Sequence, residues 1–168
     1  MPFPRTWSEE LIAEWLQLKG YFVESGVPIG SGQKGGRNEA DIIGLKGEDD
    51  RLDIFHIEVG SLAGNPVKNA EAIKEKFSEK REKAVKEYCN KKTGFSNAQK
   101  PNYKKLYVAV WASGKTMSYL KQQNLPVREL SEFIDNEIKP TIQQWKKKPV
   151  YTLPDGMWLL HLMDYLSE

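Results

Sequence analysis

Two short apolar runs, each carrying one acid, constrain this chain more than any other feature. Glu39-Ala40-Asp41-Ile42-Ile43-Gly44-Leu45 reads as one strand, and Ile54-Phe55-His56-Ile57-Glu58-Val59-Gly60 reads as a second. The polar stretch Lys46-Gly47-Glu48-Asp49-Asp50-Arg51 joins them as an antiparallel hairpin, with Asp49 and Asp50 as turn residues. An acid at the head of one strand and another near the end of the next can then meet at one point. Strand side chains alternate faces, so His56, Glu58 and Gly60 point one way, while Phe55, Ile57 and Val59 point into the opposite core. The polar side is therefore the expected site side. Asp41 adjoins Ile42-Ile43, where a charge is costly unless it is paired or bound to metal. Two carboxylates held together repel each other without a cation. Mg²⁺ removes that repulsion, favours oxygen ligands and keeps waters free to attack a phosphate.

The remaining elements follow from periodicity. A first helix is expected from about Trp7 to Lys19, with Leu11, Ile12, Trp15 and Leu16 as its apolar stripe and Gly20 ending it. Tyr21-Phe22-Val23 reads as a strand. Residues 30–36, Gly-Ser-Gly-Gln-Lys-Gly-Gly, lack P-loop spacing and lead into the Asp41 strand, so they read as a loop that brings Lys34 and Arg37 toward a polyanion. Asn65 and Pro66 begin one long helix to about Asn90, with Ala70, Ile73, Phe77, Ala84 and Tyr88 on one face and Lys and Glu on the other. Lys105-Leu106-Tyr107-Val108-Ala109-Val110-Trp111 is a buried strand, and residues 125–130 form one more. Ser131 caps a helix that Pro140 kinks, and a last amphipathic helix runs from about Pro154 to Leu166. The resulting order is α-β-β-β-α-β-β-α-α, with the first three strands opening a mixed sheet.

The 168 residues suffice for one domain with a real core. A single Cys89 excludes a disulfide framework and a multi-cysteine zinc site. No apolar run is long enough to span a membrane, and the first residues lack a signal-peptide core, so a cytoplasmic location is the expectation. Charge is uneven along the chain: residues 1–63 carry six basic and eleven acidic side chains, residues 64–105 twelve and five, and residues 106–168 seven of each. The basic middle can neutralise phosphates, or it can simply be a solvated lysine-rich helix.

The order of acids and strands resembles the PD-(D/E)xK, or restriction-endonuclease-like, nuclease superfamily, and within it the archaeal Holliday-junction-resolvase type. The residues that carry the resemblance are Glu9, Gly20-Tyr21-Phe22-Val23, Asp41-Ile42-Ile43 and Ile57-Glu58-Val59-Gly60, spanning roughly residues 8 to 61. The resemblance implies a three-layer α/β/α core with a mixed central sheet over about residues 6–130, followed by a helical extension over about 131–168. It also implies a Mg²⁺-dependent (or Mn²⁺-dependent) endonuclease acting on DNA, structure-specific in its substrates, and a homodimer for which Trp111, Trp145 and Trp158 offer interface side chains. By it, Asp41, Glu58 and the Val59 carbonyl bind the metal, and Glu9 completes or orients the site. The family's motif has a lysine where Gly60 stands. A lysine from the long helix can substitute: Lys74 is the candidate, with Lys80 and Lys68 as alternatives.

Each of these residues also has a plainer role. Thr6-Trp7-Ser8-Glu9 is a capping box, which alone accounts for Glu9. His56 fits a packed, hydrogen-bonded strand residue, Glu39 a solvated one, and His161 and Cys89 structural ones. The competing function is a nuclease fold that has lost catalysis and serves as a nucleic-acid-binding or assembly module, and Gly60 is the residue that favours it.

Overall fold

The computed structural model describes residues 6–29, 38–48, 51–94, 100–149 and 152–167. The glycine-rich segment 30–36, Lys34, Arg37, Asp49 and Asp50 lie outside the described residues. Five strands, β1 (Phe22–Pro28), β2 (Glu39–Glu48), β3 (Arg51–Leu62), β4 (Asn102–Ala112) and β5 (Val127–Glu129), form one open sheet in the order β1-β2-β3-β4-β5. The first three pair antiparallel, as the hairpin reading requires; β3–β4 and β4–β5 pair parallel. Parallel neighbours need a crossover. Helices α2 (Pro66–Lys76) and α3 (Glu79–Thr93) supply the first and α4 (Gly114–Gln122) the second.

Alternation along the strands assigns the two faces. Ile42, Ile57, Leu106 and Val108 turn toward α1 (Trp7–Leu18) and bury Leu11, Ile12, Trp15 and Leu16. Their neighbours turn the other way: Ile43, Leu45 and Ile54 meet Val85 and Cys89 of α3, while Tyr107 and Ala109 meet Ala70 and Ile73 of α2 and Met117 and Leu120 of α4. Helices thus cover both faces of a mixed α/β sheet, an arrangement compatible with three α/β/α layers. Among the described residues no helix is long and apolar enough to cross a membrane.

The C-terminal part adds α5 (Leu130–Phe133), a π-helical turn (Ile134–Ile138), α6 (Lys139–Lys146) and α7 (Trp158–Tyr165). Phe133, Ile138, Ile142 and Leu160 enter the same core as α1. Glu14 of α1 reaches across, its carboxylate accepting the Leu159 and Leu160 amides at 3.3 and 2.9 Å. Those amides open α7 and have no partner inside the helix. A buried acid far away in sequence therefore caps this helix, and burial raises the Glu14 pKa although both amides pull it down.

Several element readings need correction. The helix expected from Pro66 to Asn90 is two helices, because Phe77 leaves helical geometry (φ −114°) to bury its ring and Ser78 restarts the chain as an N-cap. The expected stripe is divided accordingly: Ala70, Ile73 and Phe77 join one core cluster, while Ala84 and Tyr88 lie against another. Helix α4 was absent from the expected order; its polar Gly-Lys-Thr start hides a short buried face of Thr116, Met117 and Leu120 capped by Ser113. Ser131 does not cap, since the helix begins at Leu130 after Glu129. The disturbance near Pro140 is the π-helical turn that precedes it, where the chain accommodates a residue without an N–H. Tyr21 lies just outside β1, and the last helix starts at Trp158 rather than Pro154.

Candidate active site

The β2–β3 ladder runs outward to the pair Ile42–Ile57, and the next residue on each strand is an acid: Asp41 on β2 and Glu58 on β3. Asp41 Oδ2 accepts the Val59 amide at 2.9 Å, which ties the first carboxylate to the strand of the second. The N–H and C=O of an extended residue face the same neighbour. The Val59 carbonyl is thereby directed to the Asp41 side. Lys76, the final residue of α2, donates from Nζ to Glu58 Oε2 and lies 3.8 Å from Asp41 Oδ2. One cation therefore stands between the two carboxylates.

Behind Glu58 the site is closed. Its side chain is 0% exposed, and Oε1 is 2.7 Å from His56 Nε2, while His56 Nδ1 is 2.7 Å from the Tyr103 hydroxyl. The ring can donate from Nε2 to the carboxylate and accept from the phenol at Nδ1, so both contacts are satisfied at once. Burial raises the Tyr103 pKa, so it remains a donor. Phe77 packs edge-on against His56 with ring centroids 5.1 Å apart. His56 is thus the packed, hydrogen-bonded residue its sequence context suggests, and its polar face is roofed by helices rather than open.

The two carboxylates differ electrostatically. Burial, and then the Glu58 charge, push Asp41 up to about 6; the Val59 amide and Lys76 oppose this, and Glu9 adds to it. For Glu58 burial acts upward too, but the His56 hydrogen bond and the Lys76 charge outweigh it, and its pKa is lowered. Asp41 is therefore the member whose charged form is disfavoured, by burial first and by the Glu58 charge second, with the Val59 amide and Lys76 offsetting only part. That is the situation a divalent cation corrects.

Of the residues named from sequence, Asp41, Glu58 and Val59 converge. Glu9 sits in the first turn of α1, where its amide donates to Thr6 Oγ1 at 3.2 Å, the capping contact expected; its charge also acts on Asp41. Lys74 does not reach the site. It is exposed on α2, as are Lys68 and, on α3, Lys80. Residues two apart on a helix diverge by roughly 200°, and the turn inward at Phe77 carries Lys76, not Lys74, over the sheet. Tyr107 is a second side chain that sequence reasoning missed. It pairs with Glu58 across β3–β4, a neighbour relation that depends on sheet order alone.

Among the described residues no three His, Cys, Asp or Glu side chains group so as to hold a metal ion. The donors at hand are two carboxylates and one strand carbonyl, and Mg²⁺ is commonly held by one or two carboxylates with water and substrate phosphate completing its shell. The set fits on that chemistry, with the pressure on Asp41 as the structural reason. Comparison with family models, with curated proteins and with solved structures gave no match.

Proposed function

We propose that this chain is a divalent-cation-dependent phosphodiesterase of the restriction-endonuclease-like class that cleaves DNA at Asp41, Glu58 and Lys76. The observation that carries the reading is the Lys76 ammonium, bonded to Glu58 and 3.8 Å from Asp41, which supplies from a helix the lysine absent at residue 60. Asp41, Glu58 and the Val59 carbonyl would hold Mg²⁺ or Mn²⁺, which when bound polarises a phosphate and activates water. The chain's own groups do the rest. His56 and Tyr103 fix the Glu58 carboxylate in one orientation, and the Val59 amide fixes Asp41. Lys76, placed between the two carboxylates, would offer a positive charge to the phosphate. Exposed Lys68, Lys74, Lys80, Lys83 and Lys91 on α2 and α3 give the backbone-binding charge that the basic middle of the chain suggests.

A second reading, a nuclease fold without catalysis that binds nucleic acid, draws support from the complete burial of Glu58 and its closed pairing with Lys76. Wild type, Asp41→Ala and Lys76→Met incubated with plasmid, single-stranded and branched DNA in Mg²⁺ or Mn²⁺ separate the two. The catalytic reading expects cleavage by wild type and a loss of at least about 100-fold in each variant. Cleavage that survives Asp41→Ala removes it, and DNA binding without cleavage by wild type establishes the second.

A further inference from the structure

We propose that the Tyr107 hydroxyl is the hydrogen-bond donor this site directs at the non-bridging oxygen of a phosphodiester, from the space a side chain at residue 60 would need. The inference rests on the phosphodiesterase reading. Gly60 does not adopt a left-handed backbone, yet a Cβ built on it would lie 2.7 Å from the Tyr107 hydroxyl. The glycine is therefore required by room for this oxygen and not by conformation. Strand β4 brings Tyr107 there because Glu58 pairs with Tyr107 and Gly60 with Ala109. The ring is buried among Ala70, Ile73 and Met117, which fixes its direction.

The hydroxyl is not a buried orphan, since Arg81 Nε alone among the described residues has that status, and the charges of both Asp41 and Glu58 reach it. It is a phenol beside two carboxylates, at the point where the family's lysine would emerge. A phenol, with an ordinary pKa of about 10, is protonated at neutral pH and can donate. Lys76 brings charge from the helix side and Tyr107 a neutral donor from the sheet side.

The test joins a stability cycle to cleavage kinetics. Gly60→Ala is expected to lower the thermal midpoint by several degrees in wild type and by less than about a third of that in Tyr107→Phe, because removing the oxygen removes the clash. Tyr107→Phe is expected to lower kcat on DNA on the order of 10- to 100-fold with KM little changed, as for loss of one donor to developing charge. Gly60→Lys is expected to reduce cleavage. An equal midpoint drop in both backgrounds overturns the spatial claim. Tyr107→Phe cleaving like wild type while Asp41→Ala is inactive overturns the donor role and leaves the phosphodiesterase standing. Wild type that cuts no DNA with either cation removes that reading and this one together.

Discussion

Replacing Asp41 by Asn should stabilise the metal-free protein in a pH-dependent way. The carboxyl sits at about 6 in the fold against 3.8 when unperturbed, a rise of about two units. At 1.36 kcal/mol per unit this is about 3 kcal/mol, an upper figure because the side chain is 25% exposed and water screens part of it. The sign follows from the raised value: the folded state holds its proton longer than the unfolded chain. The stability associated with Asp41 is thus complete below about pH 4, declines as the unfolded carboxyl ionises, and is lost by the time pH has risen through about 6. Asn cannot titrate and still accepts the Val59 amide. Urea unfolding followed by tryptophan fluorescence, from about pH 3.5 to about 8.5 in steps of about half a pH unit, should show wild type and Asp41→Asn differing by a constant at acid pH. The variant should then gain about 1–3 kcal/mol by pH 7. Added Mg²⁺ should close the gap from the wild-type side by mass action. A difference that is flat with pH, or that favours Asp41 above pH 6, would refute the raised pKa that burial and the Glu58 charge give this residue.

The other predictions concern its neighbours. Lys76→Met leaves the buried Glu58 carboxylate without its cation and should cost about 2–4 kcal/mol in chemical denaturation, whereas Lys74→Met on the exposed side should stay within about 0.5 kcal/mol. His56→Ala strips partners from Glu58 and Tyr103 at once, for an expected loss of about 3 kcal/mol, with part recovered in His56→Gln. Glu14→Ala uncaps α7 and should cost about 2 kcal/mol, read as a lower unfolding midpoint with faster amide exchange at Leu159 and Leu160. Cys89, fully buried and with its thiol pushed up to about 12, should react with a thiol reagent at the rate of unfolding.

The hairpin and its acids were legible because a two-residue period ties every side chain to a face, so placing Ile42 and Ile57 in the core also placed Asp41 and Glu58. The lysine was not legible in the same way. Its position depends on where α2 stops, and Phe77 is apolar at a spacing that also suits an unbroken helix; only burial against His56 makes the turn visible. Tyr107 was hidden for another reason. Parallel pairing of β3 with β4 is a long-range property, and nothing local in Leu106-Tyr107-Val108 says which strand it will adjoin. Helix α4 was missed because it is short and buries just three residues, Thr116, Met117 and Leu120, too few to set a helical period. The Glu14 cap belongs with Tyr107: an acid on an amphipathic helix carries no sign that it will serve another helix 145 residues later.

That latch has a consequence for the order in which the chain can fold. The hairpin β2–β3 forms from adjacent segments, but the α1 layer is complete only when Leu160 arrives beneath it and the amides of α7 reach Glu14. During synthesis the apolar side of α1, including Trp15, therefore waits for most of the chain to emerge, and contacts of such separation are slow to close. Nascent chains halted before residue 158 should bind an apolar-surface dye and be cut readily within α1, and both properties should disappear once α7 has cleared the ribosome.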